Sequence, residues 1–112
     1  DSAWADIVRW SLNAMIIGEE LGITSANVDE MKSSKNPEVL RLLGVNQVGD
    51  TGAGYGQWLN LSDDWAYNII QQVGNYSESF EKHIGPNTPI NIQRGLNALY
   101  KDGGILYAPP FR

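Results

Sequence analysis

Apolar residues recur every three or four positions over the first twenty residues of the chain, and this spacing predicts an α-helix over residues 2–21. They fall into two adjoining stripes, so other parts of the protein should cover most of the helix circumference. Gly22 suits the position directly after the helix end. The first stripe contains Trp4, Ile7, Val8, Leu12, Met15 and Ile16, and the second contains Trp10, Ala14, Ile17 and Leu21. Because the helix begins almost at the first residue, we expect the chain to start inside a larger protein.

Two shorter helices are predicted next. Thr24 or Ser25 is a suitable N-cap for a short helix that runs to about residue 31. Residues 36–38 read Asn-Pro-Glu, which combines a capping side chain, a proline at the first helical position and an acid in the first turn. The helix that starts there carries an apolar face and should end at Gly44.

The longest predicted helix opens at residues 62–64, Ser-Asp-Asp, whose acids favour the positive end of a helix. Its apolar residues keep helical spacing for about five turns, until the Gly-Pro pair at 85–86 ends it. Gly74 interrupts this helix and indicates a bend or a close helix crossing. The Thr-Pro pair at 88–89 repeats the cap-plus-proline signal and predicts a final helix from 89 to about 102.

The remaining segments are predicted to be irregular. Four glycines and one aspartate, all common in turns, predict a flexible loop over about residues 45–57, namely Gly49, Asp50, Gly52, Gly54 and Gly56. The tail over residues 105–110 ends in two prolines, which favour extended backbone. We find no alternating strand pattern, no internal repeat and no domain boundary. The sequence therefore predicts one mostly α-helical domain or fragment over residues 1–112, with four to five helices and an extended, Pro-rich C-terminal tail.

Composition narrows the classes of function. Hydrophobic residues make up 42% of the 112 residues, which is typical of a globular chain. The net charge of -5 disfavours binding to nucleic acids and to anionic membranes. The chain has no apolar run of the roughly 18 residues that a membrane helix needs. Its lack of cysteine excludes disulfides, thiolate metal sites and cysteine nucleophiles.

No pattern of residues points to catalysis, a metal or a cofactor. Adjacent acids point away from each other on a helix and rarely form a catalytic pair. Such pairs occur at Glu19 and Glu20, Asp29 and Glu30, and Asp63 and Asp64. His83 is the only histidine, and it falls with Lys82 in the last turn of a predicted helix, where cations are favoured. The glycines of residues 52–56 lack the spacing and the preceding strand of a dinucleotide-binding loop. We therefore predict that the chain is not an enzyme and holds no cofactor or metal.

Aromatic and aliphatic residues suggest where the chain could meet a partner. Trp4 and Trp65 lie on apolar helix faces and are predicted to be core residues. Trp10 and Trp58 are candidate interface residues, together with Ile17 on the second stripe of the first helix. No ligand-binding residue is assigned.

Several collinear segments point to one protein family. They are residues 4–14 (WADIVRWSLNA), 19–29 (EELGITSANVD), 36–38 (NPE), 42–44 (LLG), 64–67 (DWAY), 73–76 (VGNY) and the end of the chain from residue 94 (RGLNALY…GGILYAPPFR). Together these segments resemble the general L-amino-acid-binding periplasmic proteins that serve ABC transporters. Only residues 45–60 fall outside the resemblance.

The resemblance implies the C-terminal part of a two-lobed α/β solute-binding protein, which captures an amino acid in the cleft between its lobes and delivers it to the permease subunits of an ABC importer. The strands and ligand-binding segments of that family precede Asp1, so no binding residue is carried over. In this family the first helix would return to the first lobe and pack on its sheet. Without that sheet, either the following helices or a second copy of the chain must cover its two apolar stripes, and we expect the chain to form homo-oligomers through this helix.

Two other functions stay open at the level of sequence. One is a stand-alone helical module for protein interaction or oligomerisation that binds no ligand. The other is a small acidic hydrolase that uses acids among Glu19, Glu20, Asp63 and Asp64. By resemblance, the expected location is the bacterial periplasm.

Overall fold

The computed structural model describes residues 2–44 and 64–109, and this part of the chain is mostly helical. It contains five α-helices: α1 (Ser2–Glu20), α2 (Val28–Met31), α3 (Pro37–Leu43), α4 (Trp65–Val73) and α5 (Tyr76–His83). Two 3₁₀ turns follow, at Gly95–Asn97 and Tyr100–Asp102. Within these residues the only β-type pairing is a single parallel bridge between Leu99 and Leu106. The predicted mostly α-helical fold is confirmed. The predicted loop over 45–57 lies outside the described residues.

The ends of α1 and α3 follow the local signals in the sequence. Asn36 caps α3, because its side chain accepts a hydrogen bond from the backbone N–H of Glu38 at 3.0 Å. Gly22 and Gly44, which follow α1 and α3, both take the left-handed conformation, with φ of 75° and 74°. The start of α2 differs from the prediction. Asn27 rather than Thr24 or Ser25 is its N-cap, since the three residues before it form a turn in which Thr24 Oγ1 accepts from the Asn27 N–H.

The predicted helix over residues 62–84 is wrong in its continuity, because α4 and α5 are separate helices. Gly74 between them has a φ of 85°, which a right-handed helix cannot contain. Asn75 then starts α5 as its N-cap. The predicted interruption at Gly74 is therefore a full break, and α1 is the longest helix of the described residues.

The predicted α-helix over residues 89–102 is also wrong. Asn91 and Gly95 have positive φ values of 54° and 50°, so the chain turns away from a helical path at both residues. The N–H of Ile92 bonds to the distant carbonyl of Ile84 at 2.8 Å instead of one within its own segment. We call residues 84–109 the strap, since this segment runs across the helices without a long helix of its own.

The core lies where the C-terminal half of α1 crosses α4 and α5. A Cβ built on Gly18 would lie 2.9 Å from Ile70 Cδ1, so the absence of a side chain at this position lets α4 pack closely against α1. The strap adds Leu99 and Ala108 to this core. Fully or nearly buried members also include Ala14, Ile16, Ile17, Ile23, Val28, Val39, Leu42, Leu43, Trp65 and Ala66.

Trp65 is buried as predicted, but the prediction for Trp4 is wrong. Trp4 is 66% exposed, because the helices that pack on α1 reach only its C-terminal half. The 19 residues of α1 span about 28 Å, whereas the nine residues of α4 span about 14 Å. Residues 2–5 of α1 are all exposed, so this end of the helix extends beyond the core.

Candidate functional site

The strap is fixed to the end of α1 by a partly buried ion pair, which we call the Arg94 junction. The two terminal nitrogens of Arg94 donate separate hydrogen bonds to the two carboxylate oxygens of Glu19, at 3.0 and 3.1 Å. The exposed fractions of the Arg94 and Glu19 side chains are 18% and 13%. A bidentate arginine–carboxylate pair of this kind, with two parallel hydrogen bonds, fixes the relative orientation of the two side chains.

The remaining surface of the Arg94 guanidinium is also in contact with protein groups. Its Nε and one terminal nitrogen donate to the carbonyl of Asn97, at 3.2 and 2.9 Å. Its guanidinium carbon lies 5.3 Å from the ring centre of Tyr76 and 5.6 Å from that of Phe80, both on α5. Arg94 therefore joins α1, α5 and the strap. A carboxylate at the C-terminal end of α1 opposes the helix dipole, and the arginine compensates it.

A second set of contacts links the beginning of α5 to the turn after α1. Asn75 caps α5 by accepting from the Glu78 N–H at 3.0 Å, and the Glu78 carboxylate accepts from the Asn75 N–H at 2.7 Å. The Asn75 amide also donates to the carbonyl of Ile23 at 2.8 Å. Glu78 Oε1 further accepts from the Ser25 hydroxyl at 2.7 Å. Asn75 is buried, with 5% of its surface exposed, and the bonds to Ile23 and Ser25 join segments that are more than 50 residues apart.

Two tyrosines anchor exposed segments through carboxylates. The Tyr67 hydroxyl donates to Asp29, which raises the pKa of Tyr67, and Lys32 Nζ lies 3.6 Å from the centre of its ring. The Tyr100 hydroxyl donates to Glu20 at 3.1 Å, and this bond raises the pKa of Tyr100.

The three described acids among the candidates for a hydrolase have separate surroundings. Glu19 is paired with Arg94, and Glu20 contacts Tyr100 and, through its carbonyl, Lys101 Nζ. Asp64 lies at the start of α4, and Asp63 lies outside the described residues. Over residues 2–44 and 64–109, no three His, Asp or Glu side chains are grouped as metal ligands. His83 and Lys82 lie in the last turn of α5, as predicted.

The three predicted interface residues have different surroundings. Ile17 is part of the core, with 7% exposure, so its side chain has little surface to offer a partner. Trp10 is partly buried and packs against that core. Trp58 lies outside the described residues. The exposed apolar side chains of α1 are instead Trp4, Val8 and Leu12, which we call the α1 stripe.

Sequence reasoning missed the Arg94 junction and the role of Asn75. The signal for Asn75 was readable, because Asn-x-x-Glu at residues 75–78 is a capping-box pattern. No local signal marks Arg94 and Glu19 as partners, since they are 75 residues apart.

The whole chain is similar to a part of several longer known proteins. The chain is 54% identical, over 112 residues, to the general L-amino acid-binding periplasmic protein AapJ of Rhizobium johnstonii. It is 50% identical, over 113 aligned residues, to the glutamate/glutamine/aspartate/asparagine-binding protein BztA of Rhodobacter capsulatus. Each match covers the whole chain and 32% of the relative, so the chain spans about a third of the length of these relatives. The resemblance predicted from the sequence is confirmed.

A solved structure shares the fold as well. An ABC transporter periplasmic binding protein from Brucella ovis, with glutathione bound, matches with a TM-score of 0.91 at 49% identity. The match covers the whole of this chain and 34% of that protein. No family model matches the chain.

Proposed function

We propose that this chain, which is homologous to about a third of the amino-acid-binding periplasmic proteins of ABC transporters, is the C-terminal scaffold region of such a protein. In the intact protein, an amino acid is captured outside the cytoplasm and delivered to permease subunits. The observation that carries the proposal is identity of 50–54% along the entire chain to relatives whose names describe amino-acid binding.

The chemistry of the described residues supports a scaffold role rather than a ligand site. A free amino acid needs a cation for its carboxylate and an acceptor for its ammonium group. Arg94 and Glu19 are suitable groups with low exposure, but they are bonded to each other. Asn75 and Glu78 are likewise bonded to each other and to neighbouring backbone. We therefore assign amino-acid recognition to the other two-thirds of the protein.

The proposal includes a location and partners. The protein acts in the bacterial periplasm, is not an enzyme and meets ABC permease subunits. Within the described residues, no helix has the length and apolar character required to cross a membrane.

Amino-acid binding by the native-length protein tests this function. We expect calorimetric titration with a panel of L-amino acids to give heat of binding for the native-length protein and none for the 112-residue chain. The Arg94→Lys variant of the chain serves as a matched control for any weak binding of amino acids to the arginine. Binding by the 112-residue chain with the affinity of the native-length protein would contradict the scaffold assignment.

We also propose that the isolated chain associates with itself through the α1 stripe. Each exposed large apolar side chain forgoes roughly 1.5–3 kcal/mol of burial free energy. Sedimentation velocity should therefore show dimers or larger species at high concentration, and Val8→Glu with Leu12→Glu should make the chain monomeric. Val73→Glu, at an exposed position on α4, is the control and should leave the association unchanged. A wild-type chain that stays monomeric at the highest concentration would exclude this association.

A further inference from the structure

The strap presents an apolar outer face near its end. Ile105 is 69% exposed and Tyr107 is 57% exposed, whereas Leu106 between them is half-buried and Ala108 is buried. This alternation is that of a strand with one face on the core and the other face open. Such a strand would carry polar residues on its open face if water covered it permanently.

The same segment has an edge that is only partly paired. The Leu106 N–H donates to the Ala98 carbonyl at 3.0 Å, and its carbonyl accepts from the Tyr100 N–H at 2.9 Å. In an extended segment, the amide groups of successive residues point to opposite edges, so the Ile105 carbonyl and the Tyr107 N–H face away from Ala98 and Tyr100. The Ile105 N–H is bonded to the Leu96 carbonyl at 2.8 Å, whereas over the described ranges the Ile105 carbonyl and the Tyr107 N–H have no backbone partner. An open edge with apolar side chains is a template for a further strand.

Neighbouring side chains extend this surface. Leu96 and Tyr100 are exposed beside it, and the Tyr100 and Tyr107 rings meet edge to face with centres 5.3 Å apart. We call Leu96, Tyr100, Ile105 and Tyr107 the tail patch. The Tyr100 hydroxyl donates to the Glu20 carboxylate at the end of α1, and this bond attaches the tail patch to α1.

We propose that the tail patch and its open edge bind an extended, apolar segment of the same protein, from the two-thirds that this chain lacks. The inference rests on the proposed function, because it requires that longer protein. The relatives provide the occupant, since each is about three times as long as the chain. The fold found here also occurs within the longer Brucella protein, where it makes up 34% of the chain. The added strand bonds to the Ile105 carbonyl and the Tyr107 N–H, and its apolar side chains cover Ile105 and Tyr107.

Hydrogen exchange at the Tyr107 amide tests the added strand. We expect exchange at least about 100-fold slower in the native-length protein than in the 112-residue chain, because only the former supplies an acceptor. Equal exchange in the two proteins would overturn the proposal. Protection that rises with the concentration of the 112-residue chain would identify a second copy as the occupant and would also overturn it. So would a native length of 112 residues.

Ile105→Lys provides a second readout that does not depend on exchange. It should lower the unfolding midpoint of the native-length protein by about 3 °C and leave that of the 112-residue chain nearly unchanged. Val73→Lys, at an exposed site on α4, should change neither. An equal shift in both proteins would mean that Ile105 acts only within this chain. Amino-acid binding, measured in the same preparation, separates this inference from the proposed function, because binding can persist when the strand prediction fails.

Discussion

Replacement of Asn75 by alanine should lower the free energy of unfolding of the chain by about 3 kcal/mol. Loss of the N-cap bond to Glu78 accounts for about 1 kcal/mol. Loss of the amide that satisfies the Ile23 carbonyl adds about 2 kcal/mol, because that carbonyl is left without a donor in a buried site. Urea denaturation followed by far-ultraviolet circular dichroism measures the change.

Asn36→Ala is the matched control for this prediction. Asn36 makes the same kind of N-cap bond, at the same 3.0 Å, but it is exposed and caps only α3. We expect the control to cost about 1 kcal/mol. Equal losses in the two variants would show that the bond from Asn75 to the Ile23 carbonyl contributes nothing to stability.

Arg94→Met should cost about 3 kcal/mol, the second large effect. The variant keeps an apolar stem beside Tyr76 and Phe80 but leaves the Glu19 carboxylate in a site that is 13% exposed without its cation. A partly buried charge without a partner is strongly destabilising. Arg94→Lys should lower the free energy of unfolding by a smaller amount, because the positive charge remains and only the bidentate hydrogen bonding is lost. Denaturant unfolding gives the magnitudes, and hydrogen exchange should show faster opening of the strap than of α4.

A double variant distinguishes the unpaired charge from lost packing. Glu19→Met combined with Arg94→Met removes both charges, and we expect it to recover most of the stability lost in Arg94→Met. A double variant as unstable as the sum of the two single variants would mean that the two side chains stabilise the protein independently, so that lost packing rather than the unpaired carboxylate accounts for the loss.

The sequence predicted those elements whose limits depend on nearby residues. The start of α3 is determined by residues 36–38. The end of α3 is determined by Gly44, which directly follows it, and the end of α1 by Gly22, two residues after its last residue. These signals act over one helical turn, so they can be read without knowledge of the fold. The family was also recognisable, because many segments of the chain match the family in the same order, and chance rarely produces so many collinear matches.

The strap could not be predicted in the same way. Residues 89–102 carry a good start signal for a helix, but tertiary contacts override it. The Ile84 carbonyl takes the N–H of Ile92, Leu99 is drawn into the core, and Arg94 is held by Glu19. Each of these contacts joins residues whose association the helical period of the sequence does not show. The α1 stripe was misjudged for a related reason, since spacing shows which residues share a face but not how far the covering helices reach.

The intact mass of the protein in the periplasmic fraction of its source cells tests the central claim most directly. A capture reagent raised against the 112-residue chain, followed by mass spectrometry, identifies the species that carries this sequence. We predict a mass of about three times the 12.4 kDa of the chain, in keeping with relatives of which it covers 32%. A species of 12.4 kDa, with no longer form, would contradict the claim that this chain is the scaffold third of an amino-acid-binding protein.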